Sequence, residues 1–275
     1  MIELIATDLD GTLLRSDGSV SQRTREALAA AQDAGLVVVF VTGRPPRWLH
    51  PVVESSGHVG VAVGANGAVI YDVQSEQVVH SFPLQPLTAT TVAAGISARF
   101  PDVAYAVEYV DGFAAEPAYI HDWAVNPPRD QHGNPVPPPR TGPLDQIADR
   151  PLLKLLAKDH GLDVDDFLAT ANDVIGPDAS ITHSSSRGLL EIAAAGVTKA
   201  SGLAHVAEMH GITADRIAAI GDMPNDVPML RWAGISYAVG NAHPAARAAA
   251  DEVVGTNDED AVALVVEQAL AQRRD

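Results

Sequence analysis

The sequence predicts an α/β protein, a doubly wound parallel sheet wrapped by helices, with an α+β unit inserted in its middle. Three observations predict it. Both ends of the chain alternate short apolar runs with helical patterns. The strands among them are apolar on both faces, as a sheet covered on both sides requires. The middle breaks the alternation and carries NPPRDQHGNPVPPPRTGP at 126–143, which suits neither a helix interior nor a central strand.

Taken in order, IELIAT reads as the first strand. SQRTREALAAAQDAG reads as a helix that Ser21 caps and Gly35 ends. VVVFV is a β-branched strand, PPRWLHPVVESSG a helix opening on prolines, and VGVAV the third strand. VAYAVEYV and LLKLLAK read as strands and VDDFLATAND as a helix of the second unit, placed at 84–189 between core segments 1–83 and 190–275. Beyond it, VTKASGLAHVAEMHG repeats Ala200, Leu203, Ala204, Ala207 and His210 at helical spacing. RIAAIG is a strand, DVPMLRWAG a short helix, ISYAVG a strand, and AHPAARAAA and EDAVALVVEQALAQ are helices. No stretch repeats at the period of a solenoid or propeller.

Composition narrows the function. With 275 residues, 47% of them apolar, the chain can bury a substantial core as one large domain or two smaller ones. It has no cysteine, which excludes disulfides, thiolate metal sites and a cysteine nucleophile. A net charge of −17 argues against nucleic acid as a standing partner. The start, MIELIATDLDG, has no basic segment ahead of a long apolar one, and the longest apolar run, LVVVFV at 36–41, cannot span a bilayer. The expectation is a soluble, cytoplasmic protein without a membrane partner. Oligomeric state leaves no mark in the sequence.

Four polar features fall outside the carboxyl ends of the strands, where ligands of open α/β sheets bind. Asp8 and Asp10 close the first strand, and Thr42-Gly43-Arg44 closes the second. Asp222 and the following MPND close RIAAIG, and Lys199 opens the helix before that strand. Turn formers alone would have to produce that coincidence four times.

The set resembles the haloacid dehalogenase-like hydrolase superfamily. DLDGT is similar to its first motif, VTGR to its second, Lys199 to its third and GDMPND to its fourth. The ending AVGNAHPAARAAADEVVGTNDEDAV resembles that of the Cof-type subfamily (type IIB), with Ala261 where Gly is common. The insert lies between the second and third motifs, where that subfamily carries its C2 cap. The resemblance implies a Mg²⁺-dependent phosphomonoesterase acting on a small phosphate ester, a sugar phosphate first, flavin mononucleotide or pyridoxal phosphate next. It also implies a mobile cap that supplies specificity.

Charge explains why such chemistry needs these groups. A carboxylate approaching a phosphate monoester meets about 4 kcal/mol of repulsion per unit pair at ~4 Å and an effective dielectric of ~20. One ammonium, from Lys199, and a Mg²⁺ held by carboxylate and carbonyl oxygens offset it.

By resemblance, Asp8 is the nucleophile that forms an aspartyl-phosphate. Asp10 is the acid that protonates the leaving alcohol and then the base that activates water. The metal takes the Asp8 and Asp222 carboxylates and the Asp10 backbone carbonyl. Thr42 and the N–H groups of Leu9 and Gly43 cradle the phosphoryl group. Asn225 contacts phosphate or Lys199, Thr12 holds the Asp10 carboxyl, and Asp226 orients metal-bound water or Lys199. Arg44 is left between reaching substrate and pairing with a carboxylate.

Two rival readings stay open: a phosphomutase on the same scaffold, and a phospho-acceptor signalling module, which lacks a carboxylate of the Asp10 kind. The EF-hand reading of DLDGT fails, since Leu13 stands where Gly is needed and Ser19 where Glu is. No P-loop, GxGxxG or HExxH stands in the chain. His121, His132, His183, Trp123 and Arg187 of the insert could meet substrate, although structural or surface roles are commoner for such residues.

Overall fold

The computed structural model describes residues 1–124, 135–159, 161–184 and 188–273. Residues 126–134 of the Pro-rich stretch 126–143, with His132, and also Arg187 fall outside them. The chain divides into two compact units, 1–81 with 197–275, and 82–196.

The first unit opens with β1 (Leu4–Thr7), α1 (Gln22–Asp33), β2 (Val37–Val41), α2 (His50–Ser56), β3 (Val61–Gly64), β4 (Val69–Asp72) and β5 (Gln77–Ser81). Ser21 caps α1 by accepting the Thr24 N–H, as its sequence predicts. The second unit holds α3 (Pro86–Arg99), β6 (Ala104–Glu108), β7 (Phe113–Ala115), β8 (Arg140–Thr141), α4 (Leu144–Ile147), β9 (Lys154–Lys158), α5 (Val164–Ile175), β10 (Ala179–Thr182) and β11 (Leu189–Ala194). The chain then returns to the first unit through α6 (Lys199–Met209), β12 (Ile217–Gly221), α7 (Val227–Trp232), β13 (Ile235–Ala238), α8 (Pro244–Ala249), β14 (Glu252–Val253) and α9 (Ala261–Ala271).

The sheet of the first unit runs β14-β13-β12-β1-β2-β3-β4-β5. Its strands pair in parallel from β14 to β3, and β4 and β5 add an antiparallel edge. Central strands are buried throughout: Leu4, Ile5 and Ala6 of β1 and Val39, Phe40 and Val41 of β2 are fully covered. Each large aliphatic or aromatic side chain so covered contributes about 1.5–3 kcal/mol. The edge hairpin β4–β5 was not expected from sequence.

The sheet of the second unit runs β10-β11-β9-β6-β7-β8 and is antiparallel apart from β7–β8. One face buries Leu155, Ile192 and Val107 with Ile96 of α3 and Phe167 of α5. Alternation puts Ala104, Ala106 and Leu156 on the other face, clustered with Tyr119. Buried Lys154 pairs with buried Glu191. The unit runs past the expected boundary at 189, because β11 pairs with β9 and β10 in this sheet. An apolar run such as LLEIAA does not tell which of two sheets it will join.

One core residue breaks the usual rule for polar groups. His58, 2% exposed, stacks on Phe40 with ring centroids 4.0 Å apart, and neither ring nitrogen has a hydrogen-bond partner. Burial pushes its pKa from 6.5 down to about 4, the backbone of Val61 offsetting a smaller part. Between those values the unfolded chain binds the proton and the folded one does not. Stability therefore rises with pH across the window, and is lost as pH falls from 6.5 toward 4. The expected loss between pH 7 and pH 5 is about 2 kcal/mol from this residue. His58→Phe keeps the stack and removes that share. Urea melts of both proteins at the two pH values read it, and equal losses would contradict the assignment.

Candidate active site

Strand register gathers the site. Thr7 of β1 pairs with Phe40 of β2 and with Ile220 of β12, so the three strands reach their carboxyl ends together. The polar residues that follow, Asp8, Thr42 and Asp222, emerge at one edge. The Asp8 N–H, bonded to the Ile220 carbonyl at 2.9 Å, still belongs to the sheet.

After Asp8 the chain winds into a tight turn over Leu9–Leu13, closed by Leu14 N–H to the Leu9 carbonyl at 2.8 Å. Gly11 makes the turn possible. Its φ is +79°, and a Cβ there would stand 2.4 Å from Asp222 Oδ2. Leu9 is fully buried at the head of the turn.

Lys199 is placed by a reciprocal cap. Thr198 accepts the Ser201 N–H, and Ser201 accepts the Thr198 N–H. The first turn of α6 then lies against the corner between β3 and β4. A Cβ on Gly67 would meet the Thr198 carbonyl at 2.0 Å, so only glycine lets the two backbones approach this closely.

The result is a buried charge cluster. Lys199 Nζ donates to Asp8 Oδ1 at 2.6 Å and to Asp226 Oδ1 at 2.7 Å. Lys199 is 1% exposed and Asp226 0%, so neither charge has water to soften it. Asp226 Oδ2 accepts the N–H groups of Asp222 and Met223. Both its oxygens are committed, which makes it an orienter of Lys199 and of the Asp222 backbone.

Asp8, Asp222 and Asp226 each bring an oxygen within 4.8 Å of the others. Burial pushes the Asp8 carboxyl well up, Lys199 opposing it and Asp226 and Asp222 adding to it. Burial also pushes Asp222 up to about 6, with Asp226 adding to it. For Lys199, burial works against its charge but is outweighed by Asp226 and Asp8, which hold it protonated.

This donor set fits a hard divalent cation. Three carboxylates face one ammonium, two of the carboxyls are driven toward neutrality, and all the oxygens are of the kind Mg²⁺ prefers. Asp226 has both oxygens committed elsewhere, so of the three carboxylates Asp8 and Asp222 are the ones that could hold it.

Asp10 points outward, its side chain 58% exposed, and Arg44 grips it with a two-pronged fork: Nε to Oδ2 at 2.8 Å and a terminal nitrogen to Oδ1 at 2.5 Å. Of the two alternatives left open for Arg44, the structure shows the pairing with a carboxylate, that of Asp10. Thr12 does not hold Asp10, contrary to the sequence expectation. Its hydroxyl donates to Asp222 Oδ1 at 2.9 Å. The left-handed Gly11 is the physical reason, because it turns the next residue back toward the end of β12.

Thr42 is buried, and its hydroxyl oxygen accepts the Arg44 N–H at 3.1 Å, with Gly43 between them. Asn225 donates through Nδ2 to Asn66 Oδ1 at 3.0 Å, while its own buried Oδ1 has no partner. Asn66, at φ +56° in the same corner as Gly67, was missed from sequence. The NG dipeptide that marks such a turn was its signal.

Of the insert residues raised as substrate contacts, the three that are described, His183, Trp123 and His121, have partners within the unit. His183 is buried and pairs with Asp165 at 2.9 Å. Trp123 stacks on Phe113, and His121 meets the Ala118 carbonyl through Nδ1. Among the described residues, no helix is long and apolar enough to cross a membrane.

Comparison with known proteins adds a family. Residues 5–266 match the family model of haloacid dehalogenase-like hydrolases. A 5-amino-6-(5-phospho-D-ribitylamino)uracil phosphatase of Bacillus subtilis is 28% identical over 96% of this chain and 94% of its own. A pyridoxal phosphate phosphatase of Escherichia coli is 27% identical over 96% of this chain and 97% of its own. Among solved structures, the subclass IIB sugar phosphatase BT4131 superposes with a TM-score of 0.80 at 21% identity, over 97% of this chain and 98% of that one. The last likeness is one of fold.

Proposed function

The chain belongs to the haloacid dehalogenase-like hydrolase family, as a phosphatase of small phosphate esters, and from that premise we propose that Asp8 and Asp10 carry the reaction at the site described above. The observation that carries this reading is the buried cluster of Asp8, Asp222 and Asp226 around the single ammonium of Lys199. Such an excess of negative charge is costly in a core and useful only where cations are recruited.

An Asp8 carboxylate oxygen attacks phosphorus as the ester P–O bond breaks. The electron pair leaves on the ester oxygen, which takes the proton of Asp10. Water then loses a proton to Asp10 and attacks phosphorus. The Asp8–phosphoryl bond breaks, inorganic phosphate leaves, and both side chains return to their starting forms. Lys199 stays bonded to Asp8, offsets the repulsion between the two anions, and orients the attacking oxygen. Thr42 and the N–H groups of Leu9 and Gly43 are assigned to the phosphoryl oxygens, with Asn225 beside them. Bound Mg²⁺ supplies positive charge at the phosphoryl oxygens.

The relatives named above, a ribitylaminouracil phosphate phosphatase and a pyridoxal phosphate phosphatase, support a small phosphorylated metabolite as substrate. We assign the choice among such metabolites to the inserted unit 82–196.

The test is a panel of metabolite phosphates offered to the purified protein with Mg²⁺ and with a chelator. The expected result is phosphate release that requires Mg²⁺, strongest for sugar phosphates and similar small esters, together with a thermal midpoint that rises as Mg²⁺ is added. Release unaffected by chelator, or no release from any ester, would overturn the reading. Phosphate passed to a second hydroxyl instead of water would favour the mutase.

A further inference from the structure

The C-terminal signature from Asn241 to Asp260 has no role in the chemistry above, yet its side chains reach back to the loop that carries Asp10. Asn241 Nδ2 donates to the Gly11 carbonyl at 2.8 Å. Its Oδ1 accepts the Asn257 N–H at 3.0 Å, and Asn257 Nδ2 in turn donates to the Leu14 carbonyl at 2.8 Å. Farther along, Asp258 takes both the N–H and the hydroxyl of Ser16, at 2.9 and 2.7 Å. Arg15 closes on Asp260 at 2.7 Å. Four of these residue pairs thus join the two ends of the chain, each across more than two hundred residues of sequence, and the bond from Asn257 to Asn241 links them.

These contacts fall unequally on the two catalytic carboxylates. Asp8 is fixed by the sheet, through its N–H on Ile220 and its carboxylate on Lys199. Asp10 has no sheet bond, and its carboxylate is held from outside the turn by the Arg44 fork. It stands beyond the last ladder bond, one residue before Gly11, where φ and ψ leave helical values. Loosening the Gly11 carbonyl therefore lets the backbone of Asp10 shift against the Arg44 fork and leaves Asp8 in place.

We propose that Asn241 is a positioning residue for Asp10, with the segment from Asn257 to Asp260 forming a clamp on the backbone of the turn from which Asp10 delivers its proton. The inference rests on the phosphatase reading of the site and deepens it. It gives the GTNDED ending a task in the reaction, delivered through backbone carbonyls and not through contact with substrate.

Leaving-group chemistry separates this role from a merely structural one. An alkyl phosphate needs a proton delivered to its departing oxygen, whereas p-nitrophenol leaves as a stable anion without one. The ratio kcat/KM covers the steps up to phosphoryl transfer, so it reads the acid role of Asp10 and not its later base role. Asn241 is exposed, so Asn241→Ala is compatible with folding. Asn241→Asp is a second variant of nearly the same shape that has no donor for Gly11 when ionised.

Both variants are to be compared with the wild type on an alkyl sugar phosphate and on p-nitrophenyl phosphate, with thermal midpoints measured alongside. The expected result is a fall of about tenfold in kcat/KM for the alkyl ester, less than about twofold for the aryl ester, and midpoints within a few degrees of wild type. Equal losses on the two esters, or no loss on either, would overturn the inference while leaving the phosphatase reading intact. Wild-type protein that turns over neither ester would overturn the reading itself, and the inference with it.

Discussion

Asp8→Asn is expected to reduce phosphate release to background, a loss of about 10⁴-fold or more, because an amide oxygen cannot form the covalent intermediate. The fold is expected to survive, and the structure says why. Burial drives the Asp8 carboxyl toward neutrality against the pull of Lys199, and the neighbouring Asp226 and Asp222 add to it. A neutral side chain of the same shape lowers that repulsion and still offers an oxygen to Lys199 Nζ. In metal-free buffer the variant should melt no lower than wild type. Its stabilisation by added Mg²⁺ should shrink, since one negative ligand has gone. Loss of activity without loss of stability is the behaviour of a residue kept for chemistry at a cost to the core.

Lys199→Met should fail in the opposite manner. The ammonium is 1% exposed and bonds two carboxylates at 2.6 and 2.7 Å. Removing one partner of a buried ion pair leaves uncompensated charge, at about 3–5 kcal/mol. For a protein of this size that corresponds to a fall in midpoint of about 10 °C. Activity should fall at least about 10³-fold, because the same ammonium offsets the repulsion of the attack. A second change separates the two effects. Adding Asp226→Asn to Lys199→Met removes one of the stranded carboxylates and should recover several degrees, with no recovery of turnover. A single variant that melts like wild type would contradict the burial argument.

The parts of the molecule that were legible in its sequence share a physical basis. Parallel strands buried on both faces declare themselves as runs like VVVFV, and the rule that ligands bind at their carboxyl ends then points to Asp8, Thr42 and Asp222. Ser21 was legible as a cap because capping is local. What was not legible depended on where loops come to lie. Thr12 was matched with Asp10 by proximity in sequence, but the φ of Gly11 sends it to Asp222. The fork of Arg44 on Asp10 required knowing that the second strand lies beside the first. Asn241 reaches Gly11 across 230 positions of sequence, and no short pattern announces such a bond. The hidden His58 is the same lesson in the core, since nothing in SGHVG foretells burial against Phe40. The placement of β11 was missed because apolar periodicity gives the face of a strand and not the identity of its neighbours.

The central claim is that phosphorus is bound covalently to Asp8 between the two half-reactions. Acid-quenching the enzyme during turnover of a substrate labelled at phosphorus, followed by peptide mapping, tests it most directly. The account predicts label on the peptide containing Asp8, stable to acid and released by hydroxylamine as expected of an acyl phosphate. Label on any other residue would contradict it.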